Sequence, residues 1–229
     1  MLITGDTLRL IEDTKDRLQQ TFKMKDLVEL KFFLGIEFTR SKEGILMNQR
    51  KYTLEFVSEL GPSAAKPTVI PIDTNSKLTT KEYDDHIYKN EQGPTDPPAN
   101  VHAYQRLTGK LLYLTMTRPD IAYSVQNLSQ FLQQPKKSHM DIVIRLVKHI
   151  KKKPGQGVLM SSQENAEVSA YCDADWVSCP FSRRSVTGYL LKLGESIISW
   201  KSKKQKTISR SSAEALQQLS LNLSGYWDY

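Results

Sequence analysis

Along the first sixty residues, the apolar positions switch between a helical and a strand-like rhythm. From Thr7 onward, Leu8, Ile11, Leu18 and Phe22 recur at three- and four-residue steps or their sum. That spacing predicts an amphipathic helix, with Asp6 or Thr7 able to cap its first turn. Met1 to Thr4 reads as a short strand leaving a turn at Gly5. Leu30 to Thr39 and Ile45 to Asn48 are dense in apolar residues, and Ser41-Lys42-Glu43-Gly44 lies between them. Two such runs around a glycine-containing loop predict a hairpin. Arg50 to Leu60 returns to helical spacing through Tyr52, Phe56 and Leu60, until Gly61-Pro62 ends it.

Residues 61–101 hold six prolines and no clear period, as an extended linker would. Three helices are predicted after it. The first covers His102 to Met116. The second opens with Pro119 and carries Ile121, Val125, Leu128 and Leu132 on one face. The third starts at Ser138, with Asp141 three residues on as a capping box, and buries Ile142, Leu146 and Ile150. Lys151, Lys152 and Lys153 complement its carboxyl-end dipole before Pro154-Gly155 stops it. From Val158 the pattern changes to strands, at Val168–Cys172, Ser185–Leu193 and Ser196–Lys201, with a short helix after Ser211-Ser212.

Composition narrows the class. The 229 residues are 39% apolar and 25% charged, ordinary values for globular protein, and enough chain for one large domain or two small ones. No run of eighteen apolar residues is present, nor a basic-then-apolar amino terminus, so neither a membrane span nor a secretory signal is predicted. Cys172 and Cys179 fit no disulfide framework and no zinc pattern, and read as inert thiols of a reducing compartment, cytoplasmic or nuclear. The net charge of +7 is uneven. One basic run holds Lys136, Lys137, Arg145, Lys148 and Lys151-Lys152-Lys153. A second holds Arg183, Arg184, Lys192, Lys201, Lys203, Lys204, Lys206 and Arg210. Such runs suit a phosphate backbone, or equally the solvated face of a basic protein.

The motifs decide what composition leaves open. Tyr171-Cys172-Asp173-Ala174-Asp175-Trp176 is followed by Arg183-Arg184-Ser185-Val186-Thr187-Gly188-Tyr189, Ile198-Ser199-Trp200-Lys201 and Ser211-Ser212-Ala213-Glu214-Ala215. This series resembles the first half of the ribonuclease H domain of copia-type retrotransposon polyproteins. The resemblance makes Asp173 the first ligand of a magnesium pair, in a chemistry that needs several carboxylates around two ions. It also expects a Glu where Leu216 stands, and Glu214, about 200° away on a helix, cannot replace it. Residues 216–229 can be back-translated into a shifted frame resembling the family's continuation, so they are expected to be a frameshifted tail.

The amino end carries a matching resemblance. Met24-Lys25-Asp26-Leu27-Val28-Glu29-Leu30 followed by Phe33-Leu34-Gly35-Ile36-Glu37 resembles a copia-type reverse transcriptase just after its catalytic turn, with Val28 in place of a usual Gly. The resemblance makes Phe33, Leu34 and Gly35 the primer-gripping turn of the palm, and puts the polymerase aspartates upstream of Met1. Between the ends, Tyr104-Gln105-Arg106-Leu107-Thr108-Gly109 and Thr117-Arg118-Pro119-Asp120-Ile121 resemble the segment joining polymerase to nuclease. Arg118 either contacts template backbone or pairs with Asp120.

The expected architecture is therefore α/β, in five parts. Residues 1–60 are the rear of a reverse transcriptase palm, 61–101 a linker and 102–157 helical connection. Residues 158–215 are an incomplete RNase H-like mixed sheet, and 216–229 the tail. The implied parent activity is RNA-directed DNA polymerase with ribonuclease H, magnesium-dependent, acting on RNA, DNA or their hybrid. This chain is expected to be inactive. Two other readings stand beside that one: a non-catalytic basic nucleic-acid-binding module, and a chain that folds poorly and has no function. The nucleic-acid contacts expected are Phe33, Leu34, Gly35, Arg118, Lys151, Lys152, Lys153, Arg183 and Arg184, with Asp173 as the remnant metal ligand.

Overall fold

The computed structural model describes residues 3–26, 29–61, 66–72, 78–88, 96–175, 183–208, 211, 213, 214 and 217. The chain divides into two compact units, Met1–Lys31 and Phe32–Tyr229. The first unit is built on α1 (Leu8–Thr21), as the apolar spacing predicts. Its cap differs from expectation: Thr7 has extended backbone, but its hydroxyl donates to Asp6 Oδ1 (3.0 Å) and no side chain caps the first turn. Leu8 and Leu10 are exposed and no residue of α1 is buried. Ile3 and Thr4, the described part of the expected first strand, are irregular.

The second unit opens with β1 (Phe32–Phe33), β2 (Ile36–Ser41) and β3 (Gly44–Asn48), the predicted hairpin with a short extra strand. Asn48 Oδ1 and Glu37 Oε1 accept the amides of Arg50 and Lys51, at 3.0 and 2.7 Å, and so start α2 (Arg50–Glu59). A fourth strand, β4 (Gly157–Ser161), joins this sheet by pairing antiparallel with β3. The expected boundary at residue 157 thus falls inside β4, and the strand returns to the amino-terminal hairpin. Gly157 permits the approach, since a Cβ there would lie 2.0 Å from the Met47 carbonyl oxygen.

Among its described residues, the proline-rich segment carries regular structure that its composition does not predict. Thr80 caps α3 (Lys81–Ile87) by accepting the Tyr83 amide at 3.2 Å, and Pro98 bridges to Lys136. Three helical stretches follow: α4 (Val101–Leu114), α5 (Ala122–Leu128) between two 3-10 turns, and α6 (Lys137–Lys152). Their inward faces hold Tyr104, Leu107, Leu111, Leu114, Ile121, Val125, Leu128, Val143, Leu146, Val147 and Ile150, with Phe56 of α2. Each such side chain contributes about 1.5–3 kcal/mol on burial, which fixes where the core lies. Ile142 is only partly buried. The capping box at Asp141 does not form: Asp141 pairs with Lys137 at 3.1 Å, while His139 accepts the amide of Lys136, the residue before α6, and Asp96 accepts that of Ser138.

The second sheet is β5 (Val168–Asp175), β6 (Val186–Leu193) and β7 (Ser196–Lys204), antiparallel in that order, with a bulge at Leu191/Lys192. It meets the helices where the Trp200 indole donates to the Thr115 carbonyl at 2.8 Å and Lys204 donates to Gln130 at 3.0 Å. Among the described residues every strand pairing is antiparallel. Of the expected final helix only Ala213, Glu214 and Gln217 are described, all helical, and the remainder of 216–229 lies outside the described residues.

Candidate nucleic-acid interface

The turn between β1 and β2 is a two-residue loop, because Phe33 pairs directly with Ile36. Leu34 and Gly35 both have positive φ, 46° and 73°, as a hairpin of right-handed twist requires of both central residues. Leu34 is 69% exposed and Phe32 is also exposed, so the turn presents apolar side chains to solvent. The Tyr113 hydroxyl, from α4, donates to the Leu34 carbonyl. Tyr113 in turn meets the Tyr52 ring edge-on, with centroids 4.9 Å apart. Burial, then the Tyr113 phenol, pushes the Tyr52 hydroxyl above its ordinary pKa.

Part of the second basic run, Arg183, Arg184, Lys203 and Lys206, lies at one end of the second sheet; Lys192 lies at the other, opposite Ile197, and Arg210 lies outside the described residues. Arg183 and Arg184, both exposed, lead into β6, and the Gln205 amide donates to the Ser185 carbonyl at 2.9 Å just beyond β7. That pairing sets the two arginines beside Lys203 and Lys206, which are exposed as well. Arg183 adopts a φ of +51°, uncommon for a non-glycine residue. Strand alternation divides the run. Lys201 and Lys203 lie on one face of the sheet. Lys204 lies with Trp200 on the face that meets the helices.

Asp173 stands opposite Gly188, which pairs with Ser202, so it shares the helix-side face with Trp200 and Lys204. Its side chain is exposed and accepts the adjacent Ala174 amide at 2.8 Å. A two-ion centre needs several carboxylates converging on one spot. Among the described residues, no three His, Cys, Asp or Glu side chains come together as metal ligands would. The described donors therefore do not fit a magnesium pair at Asp173.

Arg118 departs from the template-contact alternative. It is 2% exposed, and its guanidinium grips Asp120 by two bonds of 2.8 and 2.7 Å while donating to the Lys153 carbonyl at 3.3 Å. His149 Nε2 lies 3.2 Å from the same carboxylate. Burial pushes the Asp120 carboxyl up, but Arg118 and then His149 outweigh it, and the group stays below the usual carboxylate range. Arg118 therefore ties the turn before α5 to the end of α6, its guanidinium turned inward. Lys151 and Lys152 occupy the last turn of α6, where helix-dipole compensation explains them; Lys152 and Lys153 are exposed.

One polar cluster was missed from the sequence. Lys136, counted with the basic run, is buried, and its ammonium contacts Asp84, Thr79 (3.0 Å) and Asp96 (3.5 Å). Burial raises the Asp96 carboxyl, but the Ser138 hydrogen bonds and Lys136 outweigh it and leave it lowered. His139, fully buried and stacked on Phe131 at 4.0 Å, accepts the Lys136 amide through Nδ1 at 3.1 Å. Burial, helped by Lys136, holds its pKa down at about 4. The only sequence signal for this cluster is His139 three residues after a helix start, a place where Glu is the usual occupant.

Residues 1–74 match a family model described as reverse transcriptase (RNA-dependent DNA polymerase). The chain is 37% identical, over 94% of its length, to the retrovirus-related Pol polyprotein from transposon RE1 of Arabidopsis thaliana, and spans 14% of that protein. It is 30% identical over 94% of its length to the corresponding polyprotein from transposon TNT 1-94 of Nicotiana tabacum, spanning 16% of it. An uncharacterised mitochondrial protein of Arabidopsis thaliana is 35% identical over 93% of the chain, and there the match covers 84% of the relative. No solved structure matches the chain.

Proposed function

The chain belongs to the retrotransposon Pol polyproteins that carry a reverse transcriptase, and we propose that its own role is to hold nucleic acid rather than perform the chemistry. The first sheet serves as the rear of the polymerase palm, α4 to α6 as the connection, and β5 to β7 as the opening of an RNase H sheet. The substrate class is a primer–template duplex or an RNA–DNA hybrid, held through its backbone. The parent reaction, RNA-directed DNA synthesis, uses divalent magnesium held by carboxylates. Hybrid cleavage is not expected of this chain, because Leu216 occupies the position where the ribonuclease motif has its second carboxylate.

The observation that carries this reading is the exposed basic end of the second sheet, where Arg183, Arg184, Lys203 and Lys206 gather. Each phosphate neutralised by such a side chain releases counterions, so binding must weaken steeply as salt rises. Fluorescence anisotropy with a labelled RNA–DNA hybrid, over a salt series, tests it. Arg183→Ala with Arg184→Ala should lower the log–log slope by about two, near 0.9 per lost phosphate contact. Binding indifferent to salt, or absent at low salt, ends the proposal.

A further inference from the structure

We infer, resting on that reading, that Tyr113 is a positioning residue for the Phe33-Leu34-Gly35 turn, latching the nucleic-acid-facing hairpin to the helical core. The turn needs such a latch. Leu34 holds a φ of +46°, a region where a leucine is strained, and with 69% of its surface exposed it has little packing to offset the cost. The strand leading into the turn is only two residues long, so Phe32↔Glu37 and Phe33↔Ile36 are the whole of its register. A hairpin that short is not held by its own ladder.

The hydrogen bond from the Tyr113 hydroxyl to the Leu34 carbonyl supplies the missing restraint. Tyr113 is well placed for it. On the same helix, Leu107, Leu111 and Leu114 are in the hydrophobic core, so the phenol projects from a fixed support. The Tyr52 ring, edge-on at an interplanar angle of 75°, holds the Tyr113 ring from the side. Gly35 then answers to two demands at once. Its φ of +73° favours glycine, and a Cβ there would lie 2.6 Å from the Tyr113 hydroxyl oxygen but 3.4 Å from the ring carbon that bears it. Of the Tyr113 atoms near that Cβ only the hydroxyl oxygen is too close, the two nearest ring carbons lying at ordinary contact distances of 3.4 and 3.5 Å. Removing it should free the turn and relieve a larger residue at 35 together.

A four-way comparison of the full chain tests this: unaltered, Tyr113→Phe, Gly35→Ala, and both changes combined. Hydrogen–deuterium exchange at residues 34–36 reports the turn, and anisotropy with a labelled RNA–DNA hybrid at low salt reports its use. Tyr113→Phe should speed exchange and weaken hybrid binding by about two- to tenfold, the worth of one ordinary hydrogen bond, with exchange in α4 unchanged. Gly35→Ala should weaken binding further, and adding Tyr113→Phe to it should restore part of the loss. A side chain that merely supports the fold predicts the opposite, two additive losses. If the unaltered chain binds no hybrid, both the functional reading and the positioning role fall. If it binds, but Tyr113→Phe moves neither exchange nor affinity, or the double change is no better than Gly35→Ala, the positioning role alone is overturned.

Discussion

Helices α4 to α6 and the sheet β5–β7 occupy the same compact unit, yet they bury their side chains to different depths. In the helical block Tyr104, Leu111, Leu114, Ile121, Val125, Leu128, Leu146 and Ile150 lose essentially all contact with water. In the sheet the only fully buried apolar side chain among the described residues is Val186, whereas Tyr171 is 59% exposed and Val168, Leu193 and Ile198 are exposed too. The match to the Pol polyprotein from transposon RE1 covers 94% of the chain and so takes in most of both regions. The apolar residues that make the fold and the residues proposed to meet nucleic acid are spatially sorted. The core takes the first, and the sheet end and the β1–β2 turn take the second.

The sorting can be broken most forcefully at the core. Leu111→Ala removes a side chain with no exposed surface, and should lower unfolding free energy by about 2–5 kcal/mol in a urea titration. Ile198→Ala, at a position 43% exposed on β7, should cost less than about 1 kcal/mol. Equal losses would mean that the two regions are not differently packed. Acid offers a second route into the helical block. Burial, helped by the Lys136 charge, holds the His139 pKa down at about 4 against an ordinary 6.5, and its neutral ring leaves Nδ1 free to accept the Lys136 amide. Between those values the unfolded chain binds a proton that the folded chain refuses, so stability falls as pH drops through that window. The loss is at most about 3 kcal/mol and levels off below pH 4. The lowered carboxyls of Asp96 and Asp120 act in the same sense, at still lower pH. His139→Gln should flatten the pH dependence between 6.5 and 4; an unchanged slope removes His139 as its source.

The reasons some features were legible in the sequence follow from the same sorting. Helix α6 announces itself because Val143, Leu146, Val147 and Ile150 fall on one side of a 3.6-residue period. The hairpin of β2 and β3 is local, closed by Ser41 to Gly44, and its register needs nothing distant. The pairing of β4 with β3 joins residues more than a hundred positions apart, and no local pattern encodes it. The burial of Lys136 is equally non-local, since Asp84 and Asp96 come from a segment that reads as proline-rich linker. Charge misleads in the same way. A run of lysines and arginines is one signal in a sequence, but the fold turns Lys136 of the first run onto Asp84 and Asp96 and leaves Arg183 and Arg184 of the second outside. The motif around Asp173 is legible as a resemblance, but its geometry as a site is not, because metal ligands are brought together only by tertiary structure.

Arginines at the two locations give the finest form of the comparison. Arg118→Ala would leave Asp120 without its bidentate partner beside His149 and open the Lys153 carbonyl. Breaking a fully buried pair costs about 3–5 kcal/mol, and the Asp120 side chain is 28% exposed, so about 2–3 kcal/mol is expected here. Hybrid affinity, measured per folded molecule, should not change, because the guanidinium faces inward. Arg184→Ala should do the reverse. An exposed arginine without a buried partner changes stability by less than about 0.5 kcal/mol. Its loss should nevertheless lower the salt slope of hybrid binding by about one. Urea unfolding and salt-dependent anisotropy on the same two variants separate the roles. If Arg118→Ala weakened the hybrid at unchanged stability, the inward assignment of its guanidinium would be wrong. If Arg184→Ala destabilised the fold as much as Arg118→Ala, the division between structural and exposed charge would not hold. The expected pattern is a crossing of effects, each arginine moving the measurement that the other leaves alone.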